Sequence, residues 1–317
     1  MLDVPMWVWF ATVGGLLAVI VFDQVLSARK GEHEFSHAEA LRWVSFYVGL
    51  AVAFGIGLWV VGGSKAGTEF FAGYITEYSL SVDNLFVFVV IMGGFAVPRV
   101  YQHKVLVFGI AFALVLRGIF IALGAAAIDR FTWVFFLFGA FLVLTAYKLI
   151  TTDEEDEAHM ANGRMVRLLK RVVPTSEAYD GDKLTTRIDG KRVATPLLLV
   201  MAAIGMTDML FALDSIPAIF GLTQEAYIVF TANAFALMGL RQLFFLLDGM
   251  LDRLVHLSHG LAVILAFIGV KLVLHAAHKY GADWAPDIGI GTSLTVIVVT
   301  LGITTFTSLR ATRKAAA

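Results

Sequence analysis

Two acidic phrases lie inside long apolar stretches of the chain: Glu77-Tyr-Ser-Leu-Ser-Val-Asp83-Asn84 and Asp208-Met-Leu-Phe-Ala-Leu-Asp214-Ser215. Each places a second acid six residues after the first and then a small amide or hydroxyl. An ionised carboxylate at a bilayer centre costs roughly 2.5–3.5 kcal/mol on insertion scales, so four would cost about 10–14 kcal/mol. That is comparable with the folding free energy of a typical domain, and it points to a cation as the compensating charge. On a helix, Glu77, Ser81 and Asn84 fall on one stripe, with Asp83 turned about 120° from Glu77 and about 9 Å further along the axis. Asp208, Ala212 and Ser215 make the matching stripe, and Asp214 takes the place of Asp83. Pro217, three residues beyond Asp214, predicts a break or kink that frees backbone carbonyls as further ligands. Two helices crossing with their acids face to face would offer hard oxygen donors, suited to Mn, Mg or Ca rather than to soft metals.

Other polar residues inside apolar runs have two readings each. Arg117 and Arg241 either lock the acids into structural ion pairs or stand in the site when the cation is absent. Asn233 is a ligand or a helix-packing amide. Lys148 and Lys271, towards the ends of runs, are expected to snorkel to the interface. Glu32-His33-Glu34-Phe-Ser36-His37-Ala-Glu39 resembles a metal trap, yet Ser36 and Glu39 also make a capping box, which is the reading adopted. His275 and His278, near Asp283 and Asp287, read as solvated residues. His256 and His259, near Asp252, have no assigned role.

These residues require helices that cross a membrane. The chain of 317 residues is 59% hydrophobic and only 15% charged, with a mean hydropathy of +0.81, too apolar for a soluble protein of this length. Runs long enough to span occur near 5–27, 42–62, 70–97, 105–128, 131–150, 196–220, 226–247, 257–276 and 288–309, about nine in all. Lys65, Arg130 and Lys279 fall in the loops on one side, against seventeen basic residues on the other, including Arg29, Arg42, Arg99, Lys104, Arg253 and Arg310. That asymmetry places the amino terminus outside and the carboxy terminus in the cytoplasm. The first run has no basic segment before it, so it does not read as a cleaved signal peptide. With no cysteine, thiolate catalysis, disulfides and zinc knuckles are excluded. No phosphate loop of the G-x-x-x-x-G-K-[ST] type occurs, and no enzymatic activity is expected.

The acidic phrase recurs after 131 residues, and two stretches downstream of it recur in the same order. Ala111-Phe-Ala-Leu-Val-Leu-Arg117 matches Ala234-Phe-Ala-Leu-Met-Gly-Leu-Arg241 with one residue inserted, and Leu144-Thr-Ala-Tyr-Lys148-Leu matches Ile268-Gly-Val-Lys271-Leu. Residues 69–150 and 196–277 are then two copies of a three-helix unit. Because three is odd, the second copy is inverted, as in secondary transporters whose site lies at the repeat interface. Residues 1–68 and 278–317 supply peripheral helices. The segment 151–195, opening with Asp153-Glu-Glu-Asp-Glu157, reads as a solvated cytoplasmic connector or, alternatively, as a regulatory element.

At these same phrases, with Thr195-Pro-Leu-Leu-Leu-Val and Gly239-Leu-Arg-Gln-Leu-Phe-Phe-Leu-Leu, the chain resembles the TerC family of bacterial membrane proteins, most closely its Alx branch, from about residue 35 to 275. The resemblance implies a 3+3 inverted repeat and a link to Mn²⁺ export, alkaline response, redox modulation and tellurite resistance. Carried over by motif, Glu77, Asp83, Asn84, Asp208, Asp214 and Ser215 become the metal positions, supported by Ser81, Arg117, Asn233 and Arg241. Two departures stand out. Gly205 occupies a position where many members have Glu, and Ala232 one where many have Ser.

The expectation is an all-α polytopic protein of the bacterial inner membrane that exports a divalent cation, Mn²⁺ above all, with no prosthetic group and no nucleic-acid partner. A homo-oligomer is compatible with the sequence. Expelling two charges against an inside-negative potential costs about 4.6 kcal/mol per 100 mV. Without ATP chemistry, proton influx is the natural driver, because buried carboxylates bind protons or metal in competition. The alternative is a non-transporting membrane protein of stress or redox modulation, or a metal-delivery scaffold.

Overall fold

The computed structural model describes residues 4–29, 37–151, 174–176, 178–188, 190–247, 256–282 and 284–315. The chain is helical almost throughout, because a backbone in hydrocarbon must satisfy its own hydrogen bonds. The helices are α1 (Met6–Arg29), α2 (His37–Gly94), α3 (Arg99–Arg130), α4 (Val134–Thr151), α5 (Pro196–Phe220), α6 (Ala226–Leu237), α7 (Leu240–Leu247), α8 (Leu257–Lys279) and α9 (Ile290–Ala315). A hairpin of β1 (Thr185–Ile188) and β2 (Lys191–Ala194) precedes α5.

Among the described residues, eight helices are long and apolar enough to cross a membrane, α6 and α7 together making one of them. The runs expected at 42–62 and 70–97 are two arms of α2. Straight, that helix would be about 85 Å long, far beyond a hydrocarbon core of about 30 Å. It bends at Gly63, whose φ of 87° suits a residue without Cβ. The arms fold back on each other: a Cβ on Gly67 would lie 2.7 Å from Trp59 Cβ, and one on Gly55 would lie 2.4 Å from the Phe71 ring.

Two further expectations are corrected. Pro217 does not break its helix, since α5 runs through it to Phe220 and ends there. The break falls instead in the run 226–247, where Met238 and Gly239 (φ 87°) separate α6 from α7. The connector also carries strand structure. Thr185 pairs with Ala194 and Ile188 with Lys191, and Gly190 (φ 78°) turns the hairpin. Lys104 Nζ at the start of α3 donates to Asp182 Oδ2 at 2.9 Å, and the Tyr179 hydroxyl donates to the Phe95 carbonyl at 2.9 Å. These bonds fasten the hairpin beneath the α2–α3 turn. The Lys104 bond holds the Asp182 carboxyl below the usual carboxylate range. Asp180 is lowered likewise, by Thr186 and then Lys183. The acidic run 153–157, most of the segment from Glu32 to His37, Asp252 and Asp283 lie outside the described residues.

The core is built from three crossings: the second arm of α2 on α6, α3 on α5, and α4 on α8. Glycines set their closeness. A Cβ on Gly139 would be 2.7 Å from the Gly269 carbonyl, and one on Gly269 would be 2.8 Å from the Gly139 carbonyl. Gly73 meets Ala232 in the first crossing, and Gly109 meets Ile204 in the second. α1 and α9 expose most of their length.

Candidate functional site

Arg117, on α3, is the centre of the site and is 1% exposed. Its guanidinium is ion-paired with Glu77 on α2. Nη1 also donates to Asn233 Oδ1 on α6 at 3.4 Å. Nη2 stands 3.8 Å from Asp208 Oδ1 on α5, close enough for Coulomb attraction but too far for a hydrogen bond. Four helices thus bring together the first acid of each phrase, one guanidinium and one amide. The two carboxyl groups share a single cationic side chain in a region closed to solvent.

Around this knot lie buried atoms without a hydrogen-bond partner: Thr76 Oγ1, Glu77 Oε2, Ser81 Oγ, Asp208 Oδ2, Ser215 Oγ and Asn233 Nδ2. Folded proteins satisfy most such groups, so their concentration on the two acidic helices and α6 marks a polar interior rather than a packed core. Most are oxygens, the donor type a hard cation takes. Asn84 is buried on the same arm of α2.

The second acids of the phrases go elsewhere. Ser258 Oγ on α8 donates to Asp83 Oδ1 at 3.4 Å, and Thr145 Oγ1 on α4 donates to Asp214 Oδ1 at 3.1 Å. Both carboxylates are half-buried. Their rotation from Glu77 and Asp208 on the helix surface turns them to different neighbours. Among the described residues, no three of His, Asp and Glu converge as a metal-ligand set. The acids therefore do not form one face-to-face cluster in this conformation, and Arg117 sits where the first pair meets.

Arg241 does not join them. Its Nη2 donates to both oxygens of Asp23 on α1, at 2.7 and 2.8 Å, and its Nη1 lies 2.7 Å from His103 Nε2. The break at Gly239 carries it out of line with α6. Sequence reasoning missed Asp23; its signal was a lone acid in the first apolar run. Lys271 is also corrected. It is 9% exposed and donates to Ser293 Oγ at 3.0 Å, whereas Lys148 is exposed. His275 contacts Gln224 at 2.9 Å and Asp287 at 3.6 Å, fixing loops rather than standing in solvent. Gly205 is enclosed: a Cβ there would lie 3.0 Å from the Phe112 ring, which takes up the room a larger side chain would need.

A family model described as the integral membrane protein TerC family matches residues 62–316. The chain belongs to the TerC family. An uncharacterized membrane protein of Mycobacterium tuberculosis is 49% identical over 96% of this chain and 80% of its own. The chloroplastic thylakoid membrane protein TERC of Arabidopsis thaliana is 45% identical over 77% of this chain and 63% of its own. A Salmonella typhi protein, Alx, named as a candidate membrane-bound redox modulator, is 36% identical over 98% of this chain and 96% of its own. No solved structure matches. The TerC region thus begins at the bend of α2 and includes Glu77, Arg117, Asp208 and Asn233. As in its relatives, this is a multi-pass membrane protein.

Proposed function

We propose that this TerC protein exports a divalent cation, with Mn²⁺ as the principal substrate, from the cytoplasm across the bacterial inner membrane, in exchange for protons. One observation carries the reading. Glu77 and Asp208, the first acids of two matching phrases, are buried and converge on a single guanidinium, with unpartnered oxygens beside them. Arg117 acts as a resident counter-cation. An entering metal ion displaces it from the two carboxylates, and the guanidinium returns when the ion leaves. Protonation of the same carboxylates releases the metal, which couples the two fluxes. Asp83 and Asp214 join the coordination shell only if α2 and α5 turn relative to α8 and α4.

The crossings support an inverted repeat. The sequence match places Gly73 opposite Ile204 and Gly109 opposite Ala232, and the contacts are Gly73 with Ala232 and Gly109 with Ile204, the exchange that a two-fold relation produces. Redox modulation, the description carried by the Alx relatives, would have to proceed here without thiol chemistry, since the chain has no cysteine. The test is cellular metal content by mass spectrometry under Mn²⁺ challenge, with and without the protein. The proposal expects lower manganese with the protein present and no lowering with Glu77→Gln; equal manganese in all three strains would reject it.

A further inference from the structure

Buried polar contacts away from the Arg117 knot concentrate where α1, α3 and α7 meet. α1 is lightly held: among its described residues only Leu16 and Asp23 are buried. At one end Trp9 packs edge-on against Tyr227 at 5.0 Å, and Thr12 bonds the Tyr227 hydroxyl at 2.7 Å. At the other end the anchor is Asp23. Its carboxylate accepts from Arg241 Nη2, from Gln242 Nε2 at 3.2 and 3.1 Å, and from the Tyr47 hydroxyl. Arg241 in turn spends Nη1 on His103 Nε2 at 2.7 Å.

That last bond fixes the state of the imidazole. A guanidinium has only donors, so Nε2 must be the acceptor and carries no proton. The ring is the neutral Nδ1–H tautomer. A proton added at Nε2 sets donor against donor and cation against cation. Asp23 cannot relieve this where it stands, because Arg241, Gln242 and Tyr47 already engage it. Among the described residues, Arg241 on α7 and Asp23 on α1 are the charges that act on the ring. Tyr47 on α2 reaches it only through Asp23, and Lys104, next to it on α3, is bonded to Asp182 of the hairpin. His103 is half-buried, so protons can reach it from the end of the molecule that the basic residues assign to the cytoplasm.

We infer that His103 is a proton-binding site that governs a latch: neutral, it completes the Arg241–Asp23 anchor of α1; protonated, it releases Arg241 and with it the inner end of α1 and the α6–α7 break. The latch is closed while His103 is neutral and opens as falling pH protonates the ring. The inference stands on these contacts alone and does not depend on what the protein transports.

The test uses the natural lack of cysteine. Spin labels on Phe22→Cys (α1) and Val100→Cys (α3), both exposed positions, report the separation of the two helices in lipid nanodiscs. The unmodified latch should give one narrow distance at about pH 8 and lose that population to longer distances at about pH 5. His103→Gln, whose amide oxygen can still accept from Arg241, should keep the narrow distance at both values. Asp23→Asn should broaden it at both. A distance unchanged by pH in the latch-intact protein, or one still pH-dependent in His103→Gln, overturns the inference, even if Asp23→Asn proves too unstable to measure.

Discussion

Removing the Arg117 guanidinium leaves two buried carboxyl groups without their shared counter-charge. Breaking a buried ion pair from one side costs about 3–5 kcal/mol, much more than a surface pair is worth. Arg117→Gln is therefore expected to lower unfolding stability in detergent by about that amount. Mn²⁺ should recover more of the loss in this variant than it adds to the original protein, because nothing competes for the carboxylates. A denaturant titration with and without Mn²⁺ checks both; a loss below about 1 kcal/mol would mean that the guanidinium is not compensating the acids. At this scale the sequence was partly legible. The cost of a carboxylate in lipid singled out Glu77 and Asp208, and both are buried beside Arg117. Which arginine would serve them was not legible, because Arg117 and Arg241 have near-identical surroundings in sequence. The inserted residue and Gly239 decide it by turning Arg241 to Asp23.

Glycine positions, more than proline, shape the elements. Gly63 bends α2 and Gly239 interrupts the α6–α7 span, while α5 runs on through Pro217 to Phe220. Periodicity finds apolar runs well but cannot place such breaks, since a glycine at positive φ looks like any other glycine in the sequence. The hairpin, by contrast, was legible locally: Asp189-Gly190 stands between the runs Thr185–Ile188 and Lys191–Ala194, and that pair is typical of a two-residue hairpin turn. Its pH response stems from Asp180 and Asp182, whose carboxyls are held below the usual range by hydrogen bonds to the charged form. A lowered folded-state value means attachment is complete above about pH 3.9 and weakens only as pH falls through the lowered values. Amide protection across residues 185–194, corrected for the intrinsic pH dependence of exchange, should therefore hold at about pH 5 and fall only in stronger acid. Protection that falls as the α1 latch opens would show that the hairpin is held by something other than these two carboxylates.

For the whole molecule, the three crossings explain why two weakly similar segments make one interior. α2 with α6 and α3 with α5 bring Glu77, Arg117, Asp208 and Asn233 to one place, and the α4–α8 pair closes beside them with reciprocal glycines. The second acids, Asp83 and Asp214, stand on the flank towards α8 and α4. Membership of the TerC family fixes the architecture more firmly than the chemistry, because the relatives' names range from a thylakoid protein to a redox modulator. The decisive measurement is Mn²⁺ flux into proteoliposomes carrying a metal-sensitive dye, with an imposed pH gradient. The account predicts gradient-driven flux that a protonophore abolishes and that Glu77→Gln with Asp208→Asn eliminates. Flux no faster than in protein-free liposomes, or flux unchanged in that double variant, would contradict it.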